Sequence, residues 1–294
     1  MMTVLVGLIG ALVYGAADFL GGLAARRLTI LLATALAAAS GLVVLVVFSV
    51  VVPGAWSAEA ILWGALSGVA GSAAVALLYA CLAIGPMSIL SPLTAVVSAI
   101  VPVTWGLIGG ERLGPLAIGA IGLALVAVVL VGFVPEKGAV RPTMAGLSMA
   151  IGSGVLIGTF LVLIDHTPDA SGLLPLVANR TVSAVLMWTA FVAAVVVARL
   201  RSRRGGASRD AGARTTMRRG LVLAIACGGL DATANAVILI GLRIGDLSVM
   251  SVLVAMYPAG TILLAAVVLR ERIAPVQWAG LALALASAGI LAVA

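Results

Sequence analysis

The chain has 294 residues, 63% of them apolar and 9% charged, with a mean hydropathy of +1.30. A soluble domain is roughly 45–50% apolar and about 25% charged, so this sequence lacks the polar residues to cover a water-facing surface. The same hydrophobicity excludes a disordered chain. A formal charge of +7 raises nucleic acid as a partner, and the position of the charges decides that question below.

A membrane helix needs roughly 20 apolar residues, at about 1.5 Å each, to cross ~30 Å of hydrocarbon. Charge-free windows run over 29–58, 60–110, 142–164, 181–198, 247–269 and 273–294. The second breaks at Gly85-Pro86, a strong turn signal. The pattern predicts an all-α integral membrane protein with ten transmembrane helices. They lie near 3–25, 29–52, 60–83, 87–109, 115–134, 143–165, 172–198, 220–242, 247–269 and 275–294. Barrel strands would alternate over about ten residues, whereas these segments are continuous runs of Ala, Leu, Val and Gly. Small residues recur at four-residue spacing in Gly64/Gly68 and Gly154/Gly158, which lets helix backbones approach closely. Met1-Met2-Thr3 offers no basic region of the kind a cleaved signal peptide carries. Cys81 and Cys227 fall inside predicted helices, so no disulfide framework is expected.

The basic residues sort by connection. Those after the odd-numbered spans hold fourteen Lys and Arg, and those after the even-numbered spans hold two. The positive-inside rule then places the odd connections in the cytoplasm and both termini outside. Residues 199–219 carry eight arginines and one acid, Asp210; elsewhere nine basic residues balance nine acidic ones. The whole net charge therefore belongs to one Arg-rich cytoplasmic loop, suited to anionic lipid head groups. Nucleic-acid binding would want aromatics among the arginines, and this segment has none.

Displacing the sequence by 160 residues aligns it with itself. Gly68 falls on Gly228, Gly85 on Gly245, Ser88 on Ser248 and Ser91 on Ser251; Glu111-Arg112 falls on Glu271-Arg272 and Pro115 on Pro275. The chain therefore reads as two five-helix repeats, 1–136 and 143–294. Five crossings are odd, so the copies run through the membrane in opposite senses. Inverted repeats around a midplane site are a hallmark of secondary transporters.

The segments "GPMSILSPLTAVVSAIVPVTWGLIGGERLGPLAIGAIGLALVAVVLVG" and "GDLSVMSVLVAMYPAGTILLAAVVLRERIAPVQWAGLALALASAGILAVA" resemble the EamA-type repeat of the drug/metabolite transporter superfamily. In that repeat a Ser- and Pro-rich helix ends in Gly-Glu-Arg-Leu and a further helix follows. The resemblance runs over essentially the whole chain, twice; the second copy has Arg270 where the pattern usually has Gly. It implies ten helices, a central cavity between the halves, and peripheral fifth and tenth helices. Members carry amino acids, sugars, nucleotide derivatives, drugs and other metabolites.

Asp18, Arg180 and Asp231 lie inside predicted helices. Each costs roughly 2.5–3.5 kcal/mol to insert at a helix centre, and such residues face a cavity or a partner. Asp18 follows Tyr14 by four residues, so the two share a face; a carboxylate there suits proton coupling, or a structural partner. Arg180 could hold a carboxylate bidentately, or pair internally with Asp18 or Asp231. Asp231 and Asn235 share a face of the eighth span, which suits a lumen or an interhelical bond. Ser91, Thr94 and Ser98 form a stripe on the fourth span, and Ser251, Tyr257 and Pro258 mark its mate. With Pro92 and Pro102 they suggest kinked helices lining a cavity, although hydroxyls also bond back to their own helix. Glu111/Arg112 and Glu271/Arg272 read as interfacial pairs, and Trp56, Trp63 and Trp278 as interface anchors.

The expected function is a secondary active transporter of small metabolites in the cytoplasmic membrane, an exporter coupled to protons, with an amino acid or related metabolite as substrate. The alternatives are a multidrug or sugar-type carrier of the same superfamily, or a non-transporting membrane protein. No enzyme is expected: HExxH and GxSxG are absent, and Asp165/His166/Asp169 is a weak candidate for a metal. No cofactor is expected, and GxxxxGK[ST] is absent, so the chain carries no P-loop for ATP. The expected partners are a small-molecule substrate, the lipid bilayer and protons as coupling ion, with no nucleic acid, in a monomer or homodimer.

Overall fold

The computed structural model describes residues 1–84, 87–132, 142–201, 211–270 and 272–294. Eleven α-helices run in chain order: α1 Met2–Ala25, α2 Ile30–Val51, α3 Ala58–Ile84, α4 Met87–Ile108, α5 Pro115–Gly132, α6 Met144–Asp165, α7 Leu174–Arg201, α8 Ala211–Ile244, α9 Leu247–Ala255, α10 Tyr257–Val268 and α11 Pro275–Val293. One 3-10 turn, Asp169–Ser171, lies between α6 and α7. Among the described residues nine helical stretches are long and apolar enough to span a membrane, with α9 and α10 taken together. A shorter apolar stretch, Pro92–Ile108, belongs to α4. The described residues form the helices and turns of a multi-pass membrane protein, with no strand among them.

The helix ends follow local chemistry. The Thr29 hydroxyl accepts the Leu32 N–H and the Thr143 hydroxyl accepts the Gly146 N–H at 3.1 Å, satisfying orphan donors of α2 and α6. Two elements differ from the sequence expectation. The ninth span is broken: Met256 separates α9 from α10, and its N–H turns back to the Leu253 carbonyl at 3.1 Å. Pro258 has no N–H to give the Val254 carbonyl, so the regular ladder is interrupted there. By contrast α4 continues through both Pro92 and Pro102. The Arg-rich segment is also shorter as a loop than 199–219, because α7 reaches Arg201 and α8 starts at Ala211. Ala and Arg are strong helix formers, and they extend both helices. The Gly85-Pro86 turn, most of the expected division between the repeats near 136–143 (residues up to 141), Glu271 and residues 202–210 lie outside the described residues.

Helices pack chiefly on partners from the other half of the sequence. One group joins α1 and α2 to α8, with α9 and α10 against α1; another joins α3 and α4 to α6, with α7 against α3. The groups meet where α2 packs on α7 and α4 on α9, while α5 and α11 pair at the edge. Glycines make the contacts close. A Cβ on Gly64 would lie 2.9 Å from Pro175 Cα, and one on Gly154 would lie 2.7 Å from the Thr94 carbonyl oxygen. Gly15 stands against the backbone of Tyr257 and Thr261, and the Thr261 hydroxyl donates to the Gly15 carbonyl at 3.1 Å. Side chains such as Val43, Val47, Val126 and Leu285 face outward, as lipid contact requires.

Candidate functional site

A cavity of about 270 Å³ lies between the two groups. It collects most of the polar residues singled out in the sequence: Tyr14 and Asp18 from α1, Ser98 from α4, Arg180 from α7, Asp231 and Asn235 from α8, Ser251 from α9 and Tyr257 from α10. The break at Met256 brings Tyr257 to this wall. Its ring meets that of Tyr14 at a centroid distance of 5.6 Å, tilted by 59°.

The three charges are unequal. Arg180 and Asp231 form an ion pair, with side chains only 17% and 19% exposed. The guanidinium thus has an internal partner, contributed by the other packed group. Its Nε–H has no hydrogen-bond partner among the described residues. Asp18 is exposed to the open volume of the cavity. No Lys or Arg among the described residues lies within ion-pair distance of it.

The smaller polar groups are mostly engaged. Asn235 donates to the Asp231 carbonyl at 2.8 Å, Ser98 to Ala95 at 2.8 Å and Ser251 to Ser248 at 2.9 Å. Thr94 is not on the cavity wall: its hydroxyl, placed between the Leu90 carbonyl at 3.0 Å and the Ala150 carbonyl at 3.1 Å, ties α4 to α6. The side chain of Ser91 lies outside the described residues. Asn179 donates to Ser67 across α7 and α3 at 2.8 Å. Two wall residues, Ser72 and Phe160, carry no sequence signal. The Ser72 hydroxyl is buried with no hydrogen-bond partner among the described residues.

Away from the cavity, the two groups are tied together at one end of the molecule. Glu111 follows α4, and its Oε1 accepts the Leu247 N–H at 2.8 Å; its Oε2 accepts the Ser248 N–H at 3.3 Å and the Ser248 hydroxyl. Glu111 therefore caps the start of α9 instead of forming the interfacial pair the sequence suggests, because three free donors converge there. Arg243 at the end of α8 donates to the Asp169 carbonyl at 2.7 Å and to the Pro168 carbonyl and Ser171 hydroxyl at 3.3 Å. The Ala55 N–H donates to the Ala170 carbonyl at 2.7 Å. His166 sits between Trp63 and Trp105, with ring centroids 5.5 and 5.6 Å away. Trp63 is therefore packed on a histidine rather than serving only as an interface anchor. Toward the opposite end the Ser40 hydroxyl donates to the Ile225 carbonyl at 3.1 Å and the Thr94 hydroxyl to the Ala150 carbonyl at 3.1 Å, each within one group. There Gly22 and Thr34 line the cavity within about a turn of the α1–α2 connection.

The sequence model of the EamA-like transporter family matches residues 144–293. The chain belongs to the EamA-like transporter family. A solved crystal structure, described only as that of a protein, matches with a TM-score of 0.72 at 16% identity. The match covers 99% of this chain and 96% of that one, so the EamA-type chain shares its whole fold with that structure. No curated protein sequence matches it. Membership of the family makes this a membrane transporter of the drug/metabolite superfamily.

Proposed function

We propose that the chain is a secondary active transporter of small metabolites in the cytoplasmic membrane, an exporter coupled to protons, with an amino acid or related metabolite as substrate. The observation that carries this reading is the cavity between two packed groups, walled by Asp18, Arg180 and Asp231. Charges are costly inside a membrane unless they serve a pathway or a partner. Arg180 and Asp231 have each other, which leaves Asp18 as the coupling residue. The titratable groups around it on the wall are Tyr14, Cys227, Tyr257 and the Arg180–Asp231 pair.

Exchange of spans one to five with spans six to ten maps the α1–α8 contact onto α6–α3, and α2–α8 onto α7–α3. That pattern supports two inverted five-helix repeats. With both termini outside, the tied end faces outward and the cavity is reached from the cytoplasm, where an exporter loads. Asn235, Tyr14, Ser98, Ser251 and Tyr257 orient the substrate in this reading.

The test is flux in proteoliposomes under an imposed pH gradient. Wild-type protein should accumulate or expel substrate with the gradient, and Asp18→Asn should abolish coupled flux. Unchanged proton-driven flux in that variant would refute the coupling role. A C-terminal reporter active only in the cytoplasm should be silent; activity would reverse the orientation.

A further inference from the structure

We infer that the cavity is built for a small organic cation, an amine with an apolar body and no anionic group, whose ammonium docks on Asp18 beside the Tyr14–Tyr257 pair. The inference rests on the transport reading for its biological use, but its argument is about binding alone.

The described cavity wall carries Asp18, Arg180 and Asp231 and no other Asp, Glu, Lys or Arg. Arg180 and Asp231 cancel within the protein. One acidic group, Asp18, stands toward the open volume with no cationic neighbour at ion-pair distance among the described residues. A carboxylate set among apolar walls attracts a cation more strongly than one in bulk water, because the surrounding protein screens the charge less. The charge that completes this cavity is a single positive one.

A zwitterion fits this wall poorly. An amino acid needs a cationic or donor-rich receptor for its carboxylate. The guanidinium that could supply it is held by Asp231, and taking it away leaves a half-buried carboxylate unpaired, which is strongly unfavourable. The hydroxyls of Ser98 and Ser251 are placed against carbonyls of their own helices. The Arg180 Nε–H has no hydrogen-bond partner among the described residues but is itself buried, so a ligand carboxylate meets no exposed, unpaired positive charge on this wall.

The Tyr14 and Tyr257 rings meet at 5.6 Å on the same wall as Asp18, and aromatic faces attract ammonium groups within about 6 Å. Much of the remaining wall is apolar: Val75, Leu78, Ile157, Phe160 and Leu161. The volume of about 270 Å³ lies near the small end of ligand pockets, which start at roughly 300 Å³. Among metabolites related to amino acids, this selects those whose carboxylate is absent or masked.

The experiment uses the full-length protein in detergent and ligands that differ only in charge. Phenethylamine, phenylalanine and 3-phenylpropionate share one body; hexylamine and cyclohexylamine vary it. Titration calorimetry should give at least one amine binding tenfold or more tighter than phenylalanine, with no binding of 3-phenylpropionate. Asp18→Asn should weaken the amine tenfold or more, and Asp18→Glu should restore it to within a few fold. Binding of phenylalanine as tight as that of the amines, failure of every amine to bind, or indifference to Asp18→Asn overturns the proposal. The comparison on wild-type protein decides even if the Asn variant does not fold. Counterflow in proteoliposomes separates the two readings. Amine binding without flux removes the carrier and keeps the amine site. Flux of phenylalanine with no amine binding keeps the carrier and removes the amine site.

Discussion

Glu111 holds the first turn of α9: its carboxylate accepts the Leu247 N–H at 2.8 Å from a position 136 residues earlier in the chain. Together with Ser248 it gives one carboxylate three donors from the other packed group. A charged cap of this kind contributes about 1–2 kcal/mol. Glu111→Ala should lower the unfolding midpoint in detergent by a few degrees, and Glu111→Gln by less. An unchanged midpoint would mean that the cap is not holding the fold.

The same contact ties the two groups together at one end, and Arg243 does so independently through Pro168, Asp169 and Ser171. Cys227 lines the cavity and reports on access. In oriented vesicles, labelling of Cys227 by a membrane-impermeant maleimide from the side of the termini should be slow in wild-type protein. It should rise several-fold in Glu111→Ala and further in Glu111→Ala/Arg243→Gln, scored by mass spectrometry. Equal rates in all three would show that these ties do not close the passage.

Arg180 and Asp231 should show strong coupling. Removing one partner of a buried pair costs about 3–5 kcal/mol, because the survivor is left uncompensated. Arg180→Gln and Asp231→Asn should each lower stability by that order, and the double variant by clearly less than the two added. A double-mutant cycle on unfolding in detergent measures this. Strict additivity would mean that the two side chains do not act as a pair.

Glycines in similar sequence settings should respond with opposite sign. Gly64→Ala would push a methyl group into the backbone of Pro175 and should cost about 1–3 kcal/mol through the α3–α7 contact. A Cβ on Gly119 in α5 would meet nothing within 4 Å. Gly119→Ala should be neutral or stabilising by up to about 1 kcal/mol, since alanine is the better helix former. Equal losses at both sites would remove close packing as the reason for the glycine at 64.

The spans are legible in the sequence because hydrophobic length is a one-dimensional property. Thr29 and Thr143 mark helix starts by the same local chemistry that caps any helix. Much of the cavity is legible too, since Asp18, Arg180 and Asp231 stand out against an apolar background that penalises them. What the sequence hides is pairing. Arg180 could face Asp18 or Asp231, and only the placement of α7 and α8 on either side of the cavity, both packed on α2, decides for Asp231. Glu111 looks like half of a local pair with Arg112, yet its partners are the backbone of Leu247 and Ser248. Ser72 and Phe160 reach the wall through the placement of whole helices, and no local pattern announces that. The break at Met256 has a visible cause in Pro258, but Pro92 and Pro102 look the same in sequence and sit within an unbroken α4.

The interleaved packing has a consequence for how the molecule could be divided. The two packed groups are α1, α2, α8 and α10 on one side and α3, α4, α6 and α7 on the other, with α9 between α1 and α4, so each draws helices from both halves of the chain. Cutting the chain near its midpoint would not separate one packed group from the other; it would cut through both. A lone half would carry helix faces whose natural covers lie in the missing half, and two copies of it could cover those faces only by taking each other's place.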